Sequence, residues 1–126
     1  MTAPSTLATL PQPLYDLTMI HKMSRGNEAF LRRTKQLFVD TVPQTLQEIQ
    51  SSFDTADWST VSASAHKLKA TIDALRIESL KTIIRQVEQD AKEQTNLHLM
   101  GSNLELIVAV MSQVTDSFKE ELAAAV

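Results

Sequence analysis

The chain has 126 residues, 43% of them hydrophobic, with two glycines, four prolines, no cysteine and a formal net charge of −3. That length fits one domain able to bury roughly two-thirds of its unfolded surface and leaves no room for a second catalytic domain. The missing thiols exclude disulfides, thiolate metal sites and cysteine nucleophiles, and the interleaved acids and bases offer neither a nucleic-acid footprint nor a membrane-seeking basic face.

The scarcity of glycine and of period-two β-branched runs predicts an all-α chain. Residues 1–13 lack the basic start and apolar core of a signal peptide and are expected to form a short flexible lead, with the domain running from 14 to 126. No stretch approaches the ~18 apolar residues of a membrane span, and a cytoplasmic location is expected. Leu14 to Met23 supports a short helix capped by Asp16, with Leu14, Leu17 and Ile20 inward. It is too short to stand alone. Gly26-Asn27 then opens a long amphipathic run to about Phe53, with Asn27 as N-cap and Phe30, Leu37, Phe38, Val42, Leu46, Ile49 and Phe53 as the inward set. Pro43 removes one backbone donor inside that run, so a kink near Val39 to Val42, or a division into two collinear pieces, is expected.

Asp57 is the expected cap of the next helix, with Trp58 in its first turn as a packing anchor. A further helix from Glu78 to Gln94 turns Leu80, Ile83, Ile84, Val87 and Ala91 inward, and Thr95 to Gly101 reads as a connection. The last helix runs from Ser102 to about Ala124 on a stripe of Leu104, Ile107, Val108, Met111, Val114, Thr115, Phe118 and Leu122. Four long helices with short connections predict an antiparallel four-helix bundle, up-down-up-down, preceded by the short extra N-terminal helix.

The helix that begins after Asp57 carries the most informative residue. Val61, Ala65, Leu68, Ile72 and Leu75 recur at steps of four, three, four and three. At about 100° per residue those five form one narrow stripe, and His66 points roughly 140° away from it. Its neighbours on that face are Ser59, Ser62, Ala63, Lys69, Ala70 and Asp73. A core-packed histidine is thereby excluded, while spacing alone leaves open whether the exposed ring is a plain surface residue or a reactive group. The neighbourhood favours reactivity, because a phosphorylated imidazole gains a charge near −2 and needs a cation within one helical turn, where Lys69 stands. Nothing bulky surrounds the ring. His21 and His98 lack companions at metal-ligand spacing and read as surface residues; the five methionines read as core filler. Lys81 and Arg85, four apart, read first as a solvated face and second as cations that receive an acidic partner.

Ala65-His66-Lys67-Leu68-Lys69, followed by Leu75, Leu80, Ile84 and Val87-Glu88, resembles the histidine-containing phosphotransfer (HPt) domain, whose signature is His-x-Leu/Met-Lys-Gly with apolar and acidic residues at set distances beyond. Gly26-Asn27-Glu28-Ala29-Phe30-Leu31 is similar to that family's Gly-Asp-x-x-Phe-Leu helix start, and Asp57-Trp58 to its Asp before the histidine helix. The likeness covers roughly residues 14 to 122. It implies that His66 is the phosphoacceptor, that Lys69 stabilises the phosphoryl group, and that a monomeric four-helix bundle docks onto receiver domains. The chain departs from the family pattern at Ala70 and Arg76, which replace usual glycines. Ala70 narrows access to His66 slightly. Arg76 stands where the helix ends: either it holds a left-handed conformation that glycine would adopt freely, the favoured reading, or it extends the helix and offers its guanidinium to an acidic partner surface.

These expectations combine into a carrier in a multistep two-component phosphorelay. His66 takes a phosphoryl group from a receiver aspartate and passes it to another receiver, with no autonomous kinase activity, no cofactor and no metal of its own. The partners are receiver domains of response regulators or hybrid histidine kinases, not nucleic acid or a membrane. The face expected to meet them comprises Ser59, Ser62, Ala63, Lys67, Ala70, Asp73, Arg76, Lys81 and Arg85. The alternative is a helical-bundle adaptor, a pseudo-HPt protein that binds receivers without turnover. A histidine-kinase dimerisation domain fits poorly, because Lys67 stands where an acid usually follows the histidine and two glycines cannot build a glycine-rich nucleotide site.

Overall fold

The structure, a computed structural model, describes residues 14–124; the lead expected over residues 1–13 lies outside them. Five helices follow one another among the described residues: α1 (Thr18–Ser24), α2 (Glu28–Asp54), α3 (Trp58–Ala74), α4 (Glu78–Glu93) and α5 (Leu97–Ala124). No strand interrupts them. The four long helices pack in a closed ring, α2 on α3, α3 on α4, α4 on α5 and α5 on α2, while α1 lies against α2. This helical bundle buries one continuous core that includes Phe38, Ile49, Leu68, Ile72, Ile84, Ile107, Met111 and Phe118. By length and composition alone α5 could cross a membrane, but its apolar stripe is a wall of this core.

Two side chains start the helices around the site as the spacing predicts. Asn27 accepts a hydrogen bond from the Phe30 amide at 3.1 Å, and Asp57 accepts one from the Thr60 amide at 3.2 Å, each satisfying a donor that the first helical turn leaves without a partner. α1 begins later than expected, at Thr18, with Leu17 rather than Asp16 in the cap position. The Asp16 carboxylate instead takes the Thr18 amide at 2.9 Å. The Asp16 amide donates to the Leu75 carbonyl at 2.8 Å, which pins the entering chain to the end of α3.

Three expectations need correction. Pro43 does not divide α2, which runs unbroken from Glu28 to Asp54; the ring sits on the exposed face, where water can satisfy the carbonyl it leaves unpaired. Leu37 is not inward but 63% exposed, because at 100° per residue it stands well aside from the Phe38, Val42, Leu46 and Ile49 stripe. The connection assigned to Thr95–Gly101 is shorter, residues 94–96, and α5 takes in Gly101. That glycine serves helix packing rather than a turn: a Cβ placed on it would lie 3.2 Å from Phe53 Cζ.

The α4–α5 connection is held by Asp90, which is 1% exposed. Its Oδ1 accepts from Gln86, Thr95 and Asn96 at 2.9, 3.2 and 3.0 Å. This fixes where α4 stops, and so where the last turn of α4 lies beside α3.

Candidate functional site

α3 and α4 form the site. Val61, Ala65, Leu68 and Ile72 anchor α3 in the core, all at most 2% exposed, so His66 is carried outward and its side chain is 69% exposed. On the facing surface of α4, Val87 and Ala91 are buried, and the intervening Glu88 is drawn into the groove between the helices with its side chain 9% exposed. Glu88 is the hub. Its Oε2 lies 3.0 Å from His66 Nδ1, its Oε1 accepts from Lys69 Nζ at 2.8 Å, and Lys92 Nζ stands 3.4 Å from Oε2.

The Lys69 hydrogen bond above all, with the His66 hydrogen bond and the Lys69 and Lys92 charges, outweighs burial and holds the Glu88 carboxyl down at about 2, against an ordinary 4.5. Glu88 is therefore ionised and can only accept hydrogen bonds. The proton shared with it must sit on His66 Nδ1, which assigns the neutral ring the tautomer with a free lone pair on Nε2. That nitrogen lies across the ring from the Glu88 contact, on a side chain that is 69% exposed. Chemically, the arrangement offers an exposed, oriented imidazole nitrogen with an anion behind the ring able to offset the positive charge that would develop if Nε2 formed a bond.

The remaining residues expected at the site fall into groups. Ser59, Ala63 and Ala70 are exposed around His66. Ser62 is not: it is 9% exposed, because it lies on the flank of α3 that α4 covers, and its short side chain does not reach past that contact. Lys67 is exposed and stands 3.6 Å from Glu48, whose carboxylate also accepts from Ser64 at 2.9 Å. Asp73 and Arg85 form a two-pronged pair across α3 and α4, at 3.1 and 2.7 Å. Arg85 also donates to the Lys81 carbonyl at 2.9 Å, leaving the exposed Lys81 ammonium beside that pair. Arg76 is exposed in the left-handed region at φ 50°. On the other side Ala70 borders an apolar groove of about 250 Å³ between α1, α2 and α3, lined by Leu17, Ile20, Leu37, Phe38 and Thr71 among others.

His66, Lys69, Glu88 and Lys92 are thus brought together, with the Asp73–Arg85 pair on the same α3–α4 surface. From the sequence Glu88 stands out only as an acid at a family position, and Lys92 does not stand out. Their i, i+4 spacing on α4 was a visible signal, but only the packing of α4 on α3 reveals that both face His66.

A family model described as the Hpt domain matches residues 33–124, well over half of the chain. That span includes α3 and α4 whole. No curated protein matches the chain significantly, and no solved structure does so either.

Proposed function

The chain belongs to the Hpt domain family, and from that premise we propose that it is a phosphocarrier of a multistep two-component phosphorelay, with His66 as phosphoacceptor. Hpt domains are phosphocarrier modules that act with receiver domains rather than catalysts in their own right. The observation that carries the assignment is the exposed His66 ring held by Glu88 through Nδ1 with Lys69 one turn on. In the forward step the Nε2 lone pair attacks the phosphorus of a receiver aspartyl phosphate. The O–P bond breaks, the aspartate leaves as a carboxylate, and the ring keeps its Nδ1 proton against Glu88. The return step reverses this on a second receiver. Lys69 offsets the phosphoryl charge, and the receiver supplies the divalent ion and the acidic pocket. The closed packing ring and the three-residue connections at 55–57, 75–77 and 94–96 support an up-down-up-down antiparallel arrangement of one domain reaching from residue 14. We place it in the cytoplasm as a monomer.

Incubation with purified phosphorylated receiver domains, followed by mapping of acid-labile phosphate, tests the assignment. His66→Gln should abolish labelling while leaving the helical fold intact, at a stability cost of about 1–2 kcal/mol, the order expected for losing one hydrogen bond to the Glu88 carboxylate. Undiminished labelling of that variant would remove His66 from the role. Lys69→Ala should slow transfer and shorten the phosphohistidine lifetime roughly fivefold, the equivalent of ~1 kcal/mol of partly screened attraction. A wild-type protein that binds receivers but takes no phosphate would instead be the adaptor.

A further inference from the structure

Phosphorylation of His66 at Nε2 would put a second anion near the buried Glu88 carboxylate, the two held at opposite edges of the imidazole ring and both within the reach of Lys69 one turn on. In the unphosphorylated site Lys69 is already committed to Glu88, at 2.8 Å from Oε1. One lysine cannot serve both anions without withdrawing the nearest cation from a carboxylate that is only 9% exposed, a costly change for a buried charge. Of the other cations on this surface, Arg85 is held by Asp73 at 2.7 Å, Lys67 stands near Glu48 at 3.6 Å, and Lys81 lies about two helical turns before Glu88 on α4, so none of them is placed at that carboxylate. Lys92 is the exception. It lies one turn beyond Glu88 on the same helix, already 3.4 Å from Oε2, with its side chain 59% exposed.

We propose that Lys92 is a positioning residue of the phosphoryl site, taking over the Glu88 carboxylate so that Lys69 can turn to the phosphoryl group on His66. The inference rests on His66 being the phosphoacceptor. It pairs two cations with two anions: Lys69 moves from carboxylate to phosphoryl, and Lys92 closes on the oxygen that Lys69 leaves. Lys92 acts through Glu88, not on the phosphoryl group itself. That distinction makes the proposal testable without knowing the partner.

The test uses the full chain with His21→Gln and His98→Gln, so that His66 is the remaining histidine, phosphorylated with potassium phosphoramidate. Nε2 attacks the phosphorus, the P–N bond of the reagent breaks, and ammonia leaves. Decay of phospho-His66 is followed by ³¹P NMR. Lys92→Gln should speed the decay about two- to fivefold, the range of a half-exposed ion pair, and Lys92→Arg should restore it. In a Glu88→Gln background Lys92→Gln should have no further effect, because the second anion is gone. Decay at the parent rate in Lys92→Gln overturns the proposal. Equal acceleration with and without the Glu88 charge also overturns it, since Lys92 would then touch the phosphoryl group directly. A parent that takes no phosphoryl group from the reagent, and none from phosphorylated receivers, overturns the functional reading and this inference with it.

Discussion

Glu88 shows how a single buried carboxylate can organise a reactive surface. Helical spacing made the exposure of His66 legible, because five apolar residues on one stripe leave no other direction for its ring. The same arithmetic could not show Glu88 as the hub, since residues 66 and 88 belong to different helices and their approach depends on how α4 rotates against α3. Ser62 failed for the converse reason: its angle on α3 was right, but the flank it occupies is covered by α4. Glu88 also predicts an acid signature. Its folded-state carboxyl lies below the ordinary value, at about 2 against 4.5. Its contribution to stability is therefore complete above the ordinary value and fades as pH falls toward 2. Urea midpoints should decline from pH 6 to pH 3, and Glu88→Gln should flatten that decline while costing about 1–2 kcal/mol at neutral pH, the cost of removing a hydrogen-bonded partner from charged groups. Parallel pH curves for variant and parent would detach Glu88 from the acid response.

At the scale of the helix, most elements were readable because caps and stripes are local. Asn27 and Asp57 cap α2 and α3 as their chemistry dictates, and most of each apolar stripe of α3, α4 and α5 is buried, although Ile83, Val108 and Leu122 are only half-buried and Val110, outside the expected stripe, is buried. What escaped depends on neighbours. Gly101 resembles a turn residue until Phe53 is seen against it, and Met100, buried beside it, belongs to the turn of α5 that was missed. The helix ends share one feature: with few glycines available, Arg25, Ala56, Arg76, Gln94 and Asn96 all adopt positive φ, between 50° and 59°. At the end of α3 the Ile77 amide donates to Ile72 at 3.0 Å and the Arg76 amide to Asp73 at 3.2 Å, the paired closure of a Schellman motif. Arg76 thus occupies the left-handed position expected from the departed family glycine. Arg76→Gly should raise stability by a few tenths to about 1 kcal/mol, since glycine reaches this region without a Cβ clash. A thermal melt with the variant at or below the parent would mean that the arginine contributes more than it costs, its charge near Asp16 being the first place to look.

Across the whole molecule, the two long helices that do not carry the site are joined by a tie at a distance from it. Phe118 of α5, 1% exposed, receives Phe38 of α2 edge-on at 5.0 Å and Tyr15 of the entering chain at 5.1 Å. Burial, and behind it the Glu121 carboxylate that its hydroxyl contacts at 3.0 Å, pushes the Tyr15 phenol up to about 12. Lys35 reaches the same carboxylate at 2.7 Å. One aromatic cluster with a charged rim therefore joins the entering chain, α2 and α5, while the Asp16 amide fastens that chain to the end of α3. Phe118→Ala should cost about 3–5 kcal/mol, the range for deleting a buried phenyl ring and leaving a cavity, and should release Tyr15 as well. The His66–Glu88 pair lies on α3 and α4, neither of which contributes a ring to this cluster. The folded fraction of the variant should therefore keep its phosphate acceptance per molecule while its urea midpoint falls sharply. Tyrosine fluorescence and far-UV circular dichroism should lose their structure in one transition if the tie is part of the cooperative core. An early, separate loss of the Tyr15 signal in the parent protein would show that the entering chain is only laid on the bundle, and would confine the cost of Phe118→Ala to the α2–α5 contact.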